Sequence, residues 1–118
     1  MDWRTMPTPQ RAEVWLADFD RAEGHDLGKG RPVLVVSVDP FNESSAGEIM
    51  VAPISARDAG TPFGVPLSPP DGGVTVWSFI RCDALRAMSR DRLLQRLGAA
   101  PRATMEQVEA RLRVLLGL

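Results

Sequence analysis

The sequence predicts a small, mainly β domain of antiparallel strands closed by a C-terminal α-helix, and three observations carry that prediction. Pro32 to Val38, PVLVVSV, is a β-branched run of the kind that is buried on both faces of a sheet. The β-rich segments around it are short and are separated by stretches rich in glycine, proline and serine. Near the end of the chain, Met105, Val108, Leu112 and Leu115 recur at helical spacing. With 118 residues, 44% of them hydrophobic, a single core suffices, so one domain over 1–118 is expected, with residues 1–10 a flexible N-terminal segment.

Taken in order, Glu13 to Phe19, EVWLADF, is rich in β-formers and gives the first strand. Asp20 to Arg31 has three glycines, dense charge and no apolar period, which makes it a loop, and a long one for so small a domain. Arg31 precedes a proline and is biased toward extended backbone at the entrance of the Pro32–Val38 strand. A turn-like DPFNESSAGE leads to a third strand over Ile49 to Ile54, and Ser55 to Pro62 forms a loop before a short strand at Phe63 to Leu67. SPPDGG from Ser68 is a turn by composition. Val74 to Met88 is expected as one long strand, with Trp77, Phe79, Arg81, Asp83 and Leu85 on one face and Cys82 on the other. Ser89 to Gly98 reads locally as a short helix, with a serine cap and a terminal glycine. In the last helix, Thr104 and Gln107 match a capping box with Pro101 just upstream, and the stripe ending in Val114, Leu115 and Leu116 is assigned to the core and to contact with a second copy.

Composition removes several classes of function. One cysteine excludes an intramolecular disulfide or multi-cysteine zinc site, and one histidine excludes both a His-rich metal site and catalysis by a histidine pair. Neither cofactor nor metal is expected. No apolar run approaches membrane-span length and the opening residues lack a signal-peptide core, so a cytoplasmic protein is expected. A net charge of −1 argues against a non-specific polybasic nucleic-acid binder. Lys29 is the only lysine, so arginine supplies the rest of the positive charge, and its planar fork suits phosphate recognition.

Polar residues gather in three places: His25, Asp26, Lys29 and Arg31; Ser55 and Arg57; and Arg81 with Asp83. A sheet curled into a small barrel would bring loops at one end over a shared surface. No nucleophile elbow and no phosphate-binding P-loop is present. One reaction needs neither a protein nucleophile nor a metal: cleavage of RNA by the ribose 2′-hydroxyl. It requires a group to take the 2′ proton, for which a carboxylate or histidine serves, and cations to neutralise the in-line phosphorane. Arginine fits the electrostatic task, since a guanidinium with a pKa above about 12 is a poor proton donor.

Several segments together resemble the MazF/PemK (Kid-like) family of toxin endoribonucleases: EVWLADFDRAEGHDLGKGRPVLVVS, MVAPIS before TPFGVPL, and RCDALRA followed by DRLLQRLG. The resemblance is collinear from about Arg11 to the C terminus. It implies an SH3-like antiparallel β-barrel with a C-terminal helix, of the type also found in CcdB, assembled as a homodimer. The implied activity is metal-independent cleavage of single-stranded RNA at a short sequence, leaving a 2′,3′-cyclic phosphate and a 5′-hydroxyl, with a cognate antitoxin protein as the neutralising partner. The implied catalytic residues are Arg31, Ser55, Arg81, Asp83 and His25, Ser55 standing where the family usually has threonine. Asp26 falls where many members have glutamate, Ala84 replaces a glutamine and Trp77 stands where small polar residues are common. Asp26, Lys29, Arg57, Trp77 and Arg86 are expected to contact the RNA. The alternative from another class is a non-catalytic inhibitor of DNA gyrase resembling CcdB, since one fold can host unrelated sites.

Overall fold

The computed structural model describes residues 8–19 and 30–118. Its strands are Glu13–Ala17 (β1), Arg31–Val35 (β2), Glu48–Ser55 (β3), Gly64–Leu67 (β4), Ser78–Arg81 (β5), Arg86–Ser89 (β6) and Leu93–Ala99 (β7), with helices Asp39–Asn42 (α1) and Arg102–Leu116 (α2). All pairings are antiparallel, in the order β4-β5-β3-β2-β1-β7, and β6 takes the flank of β3 away from β2. The mainly β architecture with a C-terminal helix is therefore as the sequence predicts.

The closed SH3-like barrel is not formed. The sheet runs out at β4 on one side and at β7 on the other, and among the described residues no ladder joins these edges. A tight turn at Asp71–Gly73 packs backbone against backbone on Leu97 and Gly98 of β7. A Cβ on Gly98 would lie 2.8 Å from the Gly72 carbonyl carbon, and one on Gly73, whose φ is +78°, would run into the Leu97 carbonyl oxygen. Glycine at both positions permits this approach.

Strand alternation divides the core in two. Val14, Leu34, Ala52, Ile54, Val65 and Ile80 face α2, where Met105 and Val108 complete the packing. Trp15, Val33, Val35, Ile49 and Val51 face the other way, with Met88 and Leu93. The three-residue turn Arg90–Arg92 carries the chain from β6, beside β3, to β7, beside β1, so the sheet curls around this second cluster.

Local readings failed where long-range pairing overrode them. Ser89 to Gly98 is a turn and a strand rather than a helix: Leu93 pairs with Ala17, Arg96 pairs with Trp15, and Gly98 serves the close approach instead of a helix cap. The long strand expected over Val74 to Met88 is broken by a 3-10 turn at Cys82–Ala84, where fully buried Cys82 turns into the core and its N–H donates to the Phe63 carbonyl at 3.2 Å. DPFN forms the short α1. Helix α2 starts directly after Pro101, so Thr104 is buried in its first turn and makes no capping bond. Val114 and Leu116 are exposed rather than in the core, at 74% and 54%.

Candidate functional site

The register of β2 on β3 pairs Val33 with Pro53 and Val35 with Val51, and carried two residues further it sets Arg31 across from Ser55. On the other flank of β3, Ser55 pairs with Phe79, and Phe79 pairs in turn with Pro66 of β4. Directly opposed residues share a face, so Arg31, Ser55 and Phe79 form a row across one end of the sheet. They lie on the face away from α2, as the alternation from Val51 and Val33 requires. Arg81 follows Phe79 by two residues on the same face. Arg31 is exposed, and its guanidinium has no hydrogen bond or ion pair among the described residues.

Arg81 and Asp83 do project together, through the 3-10 turn rather than through strand alternation. The guanidinium donates from Nε to Asp83 Oδ1 at 2.8 Å and from Nη2 to Oδ2 at 3.0 Å. This fork holds the Asp83 carboxyl below the usual carboxylate range and the Arg81 guanidinium above its own. Such a carboxylate stays charged and is a weak proton acceptor, while arginine's five N–H donors leave three for a ligand after two are engaged. Between them, the Cys82 thiol points away and is pushed up by burial, which leaves it unreactive.

The Ser55 hydroxyl oxygen accepts the Arg57 backbone N–H at 3.1 Å, which leaves its own O–H free to donate. Arg57 lies on an exposed loop immediately beyond. Trp77 stands just before β5 and is 63% exposed, so it is not a core residue. Arg86 is not part of the group. It pairs with Val51, four residues from Ser55 or about 13 Å along a strand, and its guanidinium stacks 4.9 Å from the Phe19 ring centroid. His25, Asp26 and Lys29 lie outside the described residues. Among those described, no three His, Cys, Asp or Glu side chains come together as a metal site. A groove lined by Arg11, Arg102, Met105 and Glu106 lies by the first turns of α2, on the helix-bearing side.

Alternation along the sequence puts Phe79 on one face with Trp77 and Arg81, and the pairing of β3 with β5 sets it beside Ser55. Comparison with known proteins gives the family. Residues 10–116 match the family described as PemK-like, MazF-like toxin of type II toxin-antitoxin system. The chain belongs to that family. It is 38% identical over 116 residues to the endoribonuclease toxin ChpB of Escherichia coli, covering 91% of this chain and 93% of that one. Endoribonuclease MazF9 of Mycobacterium tuberculosis is 32% identical over 114 residues, with 92% and 97% covered. Among solved structures, MazF of Deinococcus radiodurans superposes with a TM-score of 0.78 at 28% identity, covering 96% of this chain and all of that one. A MazE-MazF structure from the same organism gives 0.76 at 28% identity, with 96% and 99% covered. No helix among the described residues is long and apolar enough to cross a membrane.

Proposed function

We propose that this PemK/MazF-family chain is a metal-independent endoribonuclease that cleaves single-stranded RNA at a short sequence, using the substrate's own 2′-hydroxyl. The observation that carries this reading is the row Arg31, Ser55 and Phe79 with Arg81 beside it: two cations, one hydroxyl donor and one aromatic face at one sheet end. The 2′-oxygen attacks the adjacent phosphorus while its proton passes to a base. The phosphorus–O5′ bond breaks and the departing oxygen takes a proton, so a 2′,3′-cyclic phosphate and a 5′-hydroxyl result. Arg31 and Arg81 neutralise charge that grows on the phosphorane oxygens, and the Ser55 O–H donates to a non-bridging oxygen.

Asp83 in this reading is a positioning residue. Its depressed pKa suits a group that stays charged to hold Arg81, and the imidazole of His25 takes the proton. Trp77 offers a stacking surface for an unpaired base beside the row. The likeness to a MazE-MazF structure favours an antitoxin as partner. An acidic segment would complement the two arginines and block RNA entry. The exposed Val114, Leu116 and Leu118 favour association of two copies, and a protein that cleaves messenger RNA acts in the cytoplasm.

Incubation with a long RNA in EDTA tests the function. Discrete fragments are expected from the parent, and Arg31→Ala is expected to form them at least about 100-fold more slowly. Intact RNA together with inhibition of DNA gyrase would replace the nuclease by a CcdB-like binder.

A further inference from the structure

Strands β3 and β4 lie on opposite flanks of β5, so residues 56–63 carry the chain from one side of β5 to the other. Residues 56–60 are all exposed, and no apolar packing fixes them. Three side chains at three-residue intervals do so instead, each accepting the N–H two residues ahead. Ser55 Oγ takes that of Arg57 at 3.1 Å, Asp58 Oδ1 that of Gly60 at 2.9 Å, and Thr61 Oγ1 that of Phe63 at 3.2 Å. The far end is tied to the site as well, because the Phe63 carbonyl accepts the N–H of Cys82, between Arg81 and Asp83. Arg57 is the only cationic side chain on this arm, and its guanidinium has no partner among the described residues.

We infer that residues 55–63 are a preorganised anion clamp, in which Arg57 holds an RNA backbone phosphate next to the scissile one and Asp58 and Thr61 are positioning residues for it. This rests on the RNA-cleaving reading above. An exposed loop without caps must be ordered when RNA binds, and every residue fixed at that moment weakens binding. Caps already formed remove that loss. They also give a purpose to a carboxylate beside a polyanion: Asp58 turns one oxygen onto a loop N–H, and Asn could do the same without the charge. Arginine's planar fork matches phosphate geometry, and Ser55 couples the clamp to the row because its oxygen caps Arg57 while its O–H faces the reacting phosphate.

The test compares Arg57→Ala, Asp58→Ala, Asp58→Asn, Thr61→Ala and Thr61→Ser with the parent. Turnover of single-stranded RNA gives kcat and KM, and an RNA with 2′-deoxyribose at the scissile nucleotide gives Kd without cleavage. Arg57→Ala is expected to raise KM and Kd with little change in kcat, and to flatten the dependence of log Kd on log salt by about 0.7. Asp58→Ala and Thr61→Ala are expected to raise KM about three- to tenfold, with Asn and Ser restoring it and no further loss on top of Arg57→Ala. Unchanged binding in Arg57→Ala would overturn the clamp. So would cap variants that cost as much without Arg57 as with it, or that lower melting temperature and kcat instead of raising KM. A parent that cleaves no RNA overturns the nuclease reading and the clamp together; a parent that cleaves while these variants bind normally overturns the clamp alone.

Discussion

Replacing Asp83 by Asn separates orienting an arginine from moving a proton. The carboxylate receives two bonds from Arg81, at 2.8 and 3.0 Å. The amide offers one carbonyl oxygen and turns an N–H toward the second guanidinium N–H, so the fork is lost and Arg81 is free to rotate. The loss is bounded by what one preorganised donor group contributes to a transition state, about 10²- to 10³-fold in kcat. Because Arg81 still reaches the phosphate part of the time, Asp83→Asn is expected to lower kcat by about 10- to 100-fold, less than Arg81→Ala does. In the Arg81→Ala background Asp83→Asn should cost nothing more, since a positioning group has nothing left to position. Stability is expected to change little, because the pair is at the surface. The pH profile supplies an independent reading. A carboxyl whose folded pKa is depressed keeps its fork at every pH above the ordinary carboxylate value and loses it only as pH falls through the lower one. Any limb of kcat/KM near neutrality should therefore survive Asp83→Asn. Steady-state cleavage of a fluorogenic RNA between mildly acidic and neutral pH measures both. A limb that vanishes with the carboxylate, or a loss that multiplies onto Arg81→Ala, would make Asp83 the base and refute the positioning role.

Arg31→Ala should lower cleavage by about 10²- to 10³-fold. Its side chain is exposed and makes no described contact, so urea unfolding should shift by no more than about 0.5 kcal/mol; cleavage within a few-fold of the parent would remove Arg31 from the site. Trp77→Ala should weaken RNA binding by the value of one stacked base, about 1–3 kcal/mol, with Trp77→Phe largely retaining it. Equal binding by the two variants in a fluorescence titration would exclude stacking. Gly73→Ala should destabilise the fold well beyond Gly47→Ala. Both have positive φ and share a backbone cost of about 1–2 kcal/mol, but only Gly73 adds a clash, with the Leu97 carbonyl, whereas a Cβ on Gly47 meets nothing within 4 Å. Equal losses on urea unfolding would mean that the Asp71–Gly73 turn does not press on β7.

The strands whose residues alternate or run β-branched were legible in the sequence. β1, β2, β3 and β4 stand within three residues of their expected limits, because burial on one or both faces leaves a periodic trace. Segment 89–98 did not reveal itself, since Ser89, Leu93, Leu97 and Gly98 satisfy a helix locally and only pairing with β1 makes them a strand. Failure to close the barrel was equally hidden. The close approach of Gly72 and Gly73 to β7 is a contact between residues more than twenty positions apart that composition records only as a turn. At the site, strand alternation predicts a common face for Arg81 and Asp83, yet a buried Cys82 and a 3-10 turn deliver them. Arg31 opposite Ser55 follows from strand register, which the chain fixes through its two-sided core rather than through any motif. The caps at Asp58 and Thr61 had a readable signal, short oxygen-bearing side chains every third residue from Ser55 in a segment lacking apolar residues large enough to pack.

Product ends on an RNA carrying one 2′-deoxyribose test the central claim most directly. With EDTA present, attack by the substrate's own 2′-oxygen predicts fragments ending in a 2′,3′-cyclic phosphate and beginning with a 5′-hydroxyl. It also predicts no cleavage where the scissile nucleotide lacks its 2′-hydroxyl. Cleavage of that substituted substrate at the parent rate, or fragments bearing a 5′-phosphate, would contradict it.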